Sequence, residues 1–138
     1  MTREQLTDLP RDREPVIRII PLPKDTNPGG DIFGGWIMSH VDLAGGVIAA
    51  RRANGRVATV AVNSFTFKKP VLVGDLVSIY GHVIRAGNTS VTVALQVFAE
   101  RRWLSGTPGG CVKVTEADLT YVAIDDNRRP RHISPDDA

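Results

Sequence analysis

The sequence predicts an α+β domain in which one long helix is buried against an extended antiparallel sheet. Three observations carry this. Residues 35 to 53 are apolar or small around nearly the whole circumference of a helix. Four segments downstream have β character, and the connections between them are short and rich in turn residues.

In chain order, residues 1 to 14 are polar, contain Pro10 and read as a mobile arm. The apolar run at residues 16–20 is a short first strand. Pro21, Pro23, Asn27, Pro28, Gly29 and Gly30 then form a loop that ends at Asp31. On the helix, Trp36, Ile37, Val41, Leu43, Ala44, Val47 and Ile48 cover a wide apolar arc. The opposite stripe, Ser39, Asp42, Gly46 and Ala49, carries no long charged side chain, so the helix is expected to be buried nearly all round. Gly45 and Gly46 each cost about 1 kcal/mol relative to Ala, and close backbone packing or space for a ligand is the expected compensation.

Asn54-Gly55 is a turn, and β segments follow at residues 56–67, 75–85, 90–102 and 111–124. In the third of these, Val91, Val93, Leu95, Val97 and Ala99 form an inner face, with Thr92, Gln96 and Glu100 on a wet one. In the first, the apolar parity changes between Val60/Val62 and Phe65/Phe67, which predicts a bulge near Asn63 or Ser64. Turns are expected at residues 86–88 and 105–110, whereas the connection through Pro70 is long enough to be a crossover. Residues 15–131 make one domain, and 132–138 a frayed tail. One sheet can cover only one side of the helix, so a curling sheet or a second subunit must close the other, and dimerisation is expected.

Composition narrows the function classes. Seventeen Lys and Arg against fifteen Asp and Glu give a net charge of +2, too small a surplus to require a nucleic-acid partner. No apolar stretch reaches the roughly 20 residues of a membrane helix, and the N-terminus lacks the apolar core of a secretory signal, so a cytoplasmic location is expected. Cys111 is the single cysteine, and no Cys/His cluster has zinc-ligand spacing, so no metal is expected. His40, His82 and His132 are scattered and read as structural or surface residues.

Asp42 is the leading candidate for chemistry, because an ionised carboxylate on a buried stripe must be paired or functional. A structural Asp hydrogen-bonded to a nearby loop is the alternative. The glycine-rich lead-in NPGGDIFGG places Gly34 and Gly35 at the helix start, where unpaired amides and the helix dipole favour a phosphate or an oxyanion. The plainer reading makes Asp31 a helix N-cap followed by a glycine turn. Neither a phosphate-loop nor a dinucleotide fingerprint is present.

NPGGDIFGGWIMSHVDLAGG and VATVAVNSFTFKKPVLVGDLVSIYGHVIRAGNTSV resemble the acyl-CoA thioester hydrolases of the hot-dog superfamily, particularly the YciA type, over residues 17 to 131. The resemblance implies a five-stranded antiparallel sheet wrapped around one long central helix, with two such units as a homodimer and three dimers as a hexamer. It implies hydrolysis of acyl-CoA to free fatty acid and coenzyme A, with Asp42 as general base or, alternatively, nucleophile. Asn27 and Asp31 fall on the family's active-site loop, and Gly34 and Gly35 would supply the oxyanion site, the loop of one subunit facing the carboxylate of the other. Lys69, Arg85, Asn88, Thr89 and Ser90 match the region that contacts the nucleotide, and Asn63 and Ser64 fall beside the site. Family members often carry an acidic residue at the position of Asn63, and His40 replaces a residue that is usually neutral and polar, so the substrate range need not follow the family's. No cofactor is expected, since coenzyme A is part of substrate and product. A non-catalytic acyl-CoA sensing module and a hot-dog enoyl-CoA hydratase are the alternatives.

Overall fold

The computed structural model describes residues 6–101, 103–105 and 110–135. The elements run β1 (Ile17–Ile19), a 3-10 turn (Pro23–Asp25), α1 (Gly34–Ala53), β2 (Val57–Phe67), β3 (Leu76–Ala86), β4 (Ser90–Glu100), a second 3-10 turn (Trp103–Ser105) and β5 (Val112–Ala123). All strand pairs are antiparallel, and the sheet order is β1-β3-β4-β5-β2. β2 and β3 are not neighbours, so the connection through Pro70 is the expected crossover. Most of the expected 105–110 turn lies outside the described residues.

The helix packs on one face of the sheet. Ile37, Val41, Ala44, Ala49 and Ala53 meet Val77, Ile79, Val93, Leu95 and Leu119 in one buried cluster. Asn54 ends the helix in the left-handed conformation at φ 55°, as an Asn-Gly turn allows. Enclosure all round does not hold within one chain: Leu43 and Val47, counted on the apolar arc, are 61% and 40% exposed, whereas Ala49, placed on the opposite stripe, is buried. The sheet covers the side of the helix that carries Ile37, Val41, Ala44, Gly45, Ala49 and Ala53, and leaves the side with Leu43 and Val47 open.

β2 carries the expected bulge at Asn63 and a second at Val60, seen as register shifts between Val62/Ser64 and Thr59/Ala61. Val60 is therefore an extra, exposed residue and does not share a face with Val62. The two bulges put Val57, Thr59, Val62, Phe65 and Phe67 opposite the inward residues of β5.

The outer face of the sheet is drier than its alternation suggests. Thr92 and Phe98 are buried, Phe98 in a second cluster with Tyr80 and Cys111 against which Leu9 packs. Residues 6–14, expected as a mobile arm, make defined contacts there. Thr7 exchanges backbone hydrogen bonds of 2.7 Å with Cys111, and the Arg13 guanidinium lies 5.6 Å from the Tyr80 ring centre. At the other terminus, Ile133 is buried and donates its N–H to Asn88 O at 2.7 Å.

Candidate active site

Asp42 sits midway along α1, half-buried, and its Oδ1 accepts two hydroxyls. Thr59 Oγ1 donates at 2.7 Å, and the single proton of the Tyr121 phenol is shared between the main-chain oxygen of Asp42 at 2.9 Å and Oδ1 at 3.1 Å. Among the described residues no hydrogen bond reaches Oδ2. Burial first, then the charge of Asp42 and the hydrogen bond to it, push the Tyr121 phenol well above its ordinary ionisation range. An open depression of about 350 Å3 surrounds the carboxylate, with Leu43, Gly46, Val47, Val57 and Thr59 in its walls.

Sequence reasoning passes over both hydroxyl donors. Tyr121 lies on the inward row of β5 with Ala117 and Leu119, and an inward Tyr needs a polar partner, which is the signal that points to it. Thr59 is hidden because the second bulge, at Val60, decides which way it faces. The two helix glycines separate into the two expected roles. A Cβ on Gly45 would lie 2.2 Å from the Tyr121 oxygen, so this is close packing, whereas a Cβ on Gly46 would meet only Tyr121 Cε2 at 3.9 Å, so this is space.

The loop residues form a separate place. Asn27 N–H donates to Asp31 O at 2.7 Å, Gly30 N–H to Asn27 O at 3.0 Å, and Asp31 N–H to Asn27 Oδ1 at 3.2 Å. Asp31 does not cap the helix: the N-cap is Phe33, and no side chain bonds there. A second depression, of about 290 Å3, is lined by Asn27, Asp31, Gly34, Phe67 and Lys69. Gly35, in the first turn, lies under the Phe33 ring. From Gly34 to Asp42 the helix rises about 12 Å, so within one chain the N-terminal amides are remote from the carboxylate. The structure thus brings Asn27, Asp31, Gly34 and Lys69 together and leaves Asp42 apart.

The remaining expected contacts lie elsewhere again. Asn63 Oδ1 accepts the Thr120 hydroxyl at 2.6 Å, and Thr120 pairs with the Thr92 hydroxyl at 3.0 Å. Thr120 precedes the inward Tyr121 and so faces outward; Asn63 is therefore not beside Asp42 but on the opposite face of the sheet. Ser64 lies opposite Asp118 and Arg85 opposite Thr92, both on that outer face. Asn88, Thr89 and Ser90 form the β3–β4 turn, held by Gly87 N–H to Ser90 O at 2.8 Å and Ala123 N–H to Thr89 O at 2.8 Å. Lys69 is at the other end of the sheet.

Several polar groups near these sites are structural. His40 donates Nδ1–H to Trp36 O at 2.8 Å and stacks on the Trp36 ring. Buried Asp75 accepts Leu72 N–H and the Arg101 guanidinium, which also donates to Pro70 O at 3.0 Å. That clamp fixes the connection carrying Lys69. Among the described residues, no group of three or more His, Cys, Asp or Glu could hold a metal ion, and no helix is long and apolar enough to cross a membrane.

Comparison with known proteins places this geometry. The model of the thioesterase superfamily matches residues 29–104. An uncharacterized acyl-CoA thioester hydrolase of Buchnera aphidicola is 48% identical over 87% of this chain and 88% of its own. The acyl-CoA thioester hydrolase YciA of Escherichia coli is 44% identical over 86% of this chain and 89% of its own. A crystal structure of a hexameric broad-specificity acyl-coenzyme A thioesterase superimposes with a TM-score of 0.83 at 41% identity, covering 89% of this chain and 88% of that one. One long helix against a five-stranded antiparallel sheet is the hot-dog fold, and this chain belongs to the YciA-type acyl-CoA thioester hydrolases of the thioesterase superfamily.

Proposed function

We propose that this chain hydrolyses acyl-CoA thioesters in a site assembled between two copies, with Asp42 as the general base. The observation that carries the reading is a carboxylate held on one oxygen by two hydroxyls, in an open depression beside the edge strand β2. Asp42 takes a proton from water as the water oxygen bonds to the thioester carbonyl carbon, and the carbonyl electron pair moves to oxygen. The oxyanion then collapses, the carbon–sulfur bond breaks, and the departing thiolate takes up the proton, leaving a free acid and coenzyme A. Thiolate is a good leaving group, so no cofactor is needed and an oxyanion site completes the machinery.

The oxyanion donors come from the second copy. Among the described residues β2 pairs with β5 alone, and Val60, Val62 and Phe67 on it are exposed, together with Met38, Leu43 and Val47 on the helix. An apolar strip of that extent beside the open edge of a strand suits self-association. Antiparallel pairing of β2 with its copy sets the Thr59 end of one chain against the Phe67 end of the other. Asp42 then faces Gly34, Gly35, Asn27 and Asp31 of the second copy. The same pairing carries Lys69 toward the second copy's Arg85, Asn63, Ser64 and 88–90 turn, which we assign to the coenzyme A phosphates and pantetheine. Three such dimers make the hexamer that the solved relative forms, and the activity is placed in the cytoplasm.

The test is a thiol-release assay over acyl-CoA chain lengths with Asp42→Asn. Loss of about a hundredfold or more in kcat with assembly and coenzyme A binding retained supports the reading, and full turnover rules Asp42 out as base. Binding without release in the parent chain would instead favour a sensing module.

A further inference from the structure

We propose that Tyr121 is a positioning residue for Asp42: admitted against the helix by Gly45, its phenol fixes Oδ1 so that Oδ2 is the oxygen presented to water. This rests on Asp42 being the base and adds a residue from the far side of the fold to that role.

A carboxylate anchored at one point can still swing about its χ2 torsion, which is broad. Thr59 supplies one anchor, from β2. Tyr121 supplies another, from β5, and bonds the main-chain oxygen of Asp42 as well as Oδ1, so the side chain is referenced to its own backbone. Both donors are on Oδ1, no hydrogen bond from a described residue reaches Oδ2, and Asp42 lines the depression. The Tyr121 side chain is fully buried, and the upward push on its ionisation keeps the phenol a donor throughout the neutral range.

Gly45 makes this approach possible. A Cβ there would stand 2.2 Å from the phenol oxygen, 3.0 Å from Cζ and 3.1 Å from Leu95 Cδ1. Most of the conflict is with the hydroxyl itself. A phenyl ring would fill the same core space without that atom, so a purely packing role predicts that Phe serves as well as Tyr.

The experiment measures kcat and KM by thiol release for Tyr121→Phe, Gly45→Ala, the double variant and Asp42→Asn. Tyr121→Phe is expected to lower kcat on the order of tenfold to a hundredfold with KM unchanged, the worth of a hydrogen bond to a charged group. Gly45→Ala is expected to do the same in the parent chain and to add little in the Tyr121→Phe background. Unchanged kcat in Tyr121→Phe, or a loss confined to KM, overturns the inference, as does an equal cost of Gly45→Ala in both backgrounds. If Tyr121→Phe does not fold, Gly45→Ala alone decides, and unchanged kcat there overturns it. Full turnover by Asp42→Asn instead removes the base on which the inference rests, and so separates the two failures.

Discussion

The two depressions on this chain are built differently. Around Asp42 the polar groups are side chains from three separate elements, α1, β2 and β5, converging on one oxygen. Around Gly34 the order is mostly backbone: Asn27, Gly30 and Asp31 close a small loop on themselves, and Ile32 N–H donates to Val71 O at 2.9 Å. The first holds a charge in place, and the second presents amides. Neither depression contains what the other has, and the proposed reaction needs both, so it requires the middle of one copy's helix and the start of another's.

Mixing chains breaks or sharpens that comparison most directly. Asp42→Asn and an Asn27→Ala/Asp31→Ala double variant are each expected to be nearly inactive. Co-refolded in equal amounts, they should recover roughly a quarter of parental activity, because half of the dimers are mixed and each of those has one intact pairing. Activity no higher than the two parts alone would place both halves in one chain.

Next in size is the clamp behind the loop end. Asp75→Ala leaves the Arg101 guanidinium without its buried carboxylate and is expected to cost about 3–5 kcal/mol in denaturant unfolding. Gly46→Ala is expected to gain up to about 1 kcal/mol of helix stability while narrowing the depression, with KM rising most for bulky acyl groups. The smallest effect concerns Lys113 and then Lys68, whose hydrogen bonds to Glu116 hold its carboxyl below the usual range. A lowered folded-state value gives stability that is present above the unfolded pKa and lost as pH falls through the folded one. Lys113→Ala should therefore cost about a few tenths of a kcal/mol at neutral pH after solvent screening, read as a slightly lower Tm, and nothing in strong acid.

Most of the fold was legible because burial follows periodicity. The inner row Val91, Val93, Leu95, Val97 and Ala99 is buried throughout, and the parity change in β2 located the bulge at Asn63. The bulge at Val60 left no such mark, since Val60 and Val62 keep apolar alternation across it, and Thr59 was hidden with it. Asp42 was legible as a carboxylate on a small-residue stripe. Its partners were not, because Tyr121 is 79 residues away and meets it only through the tertiary fold. The outer-face position of Asn63 was illegible for a different reason: the register shift at this residue breaks the alternation from which its face would be read.

Cys111, paired by its backbone to Thr7 and covered by Leu9, has one more consequence. Burial foremost, then the charges of Glu100 and Asp8, push its thiol up to about 11. Every turnover of the proposed reaction releases a thiol, and disulfide exchange requires a thiolate on one side and access to it on the other. The chain's one cysteine offers neither at neutral pH. A protein steeped in its own thiol product therefore has no handle by which oxidised coenzyme A could cap it, and a disulfide reagent added to follow the reaction counts product alone.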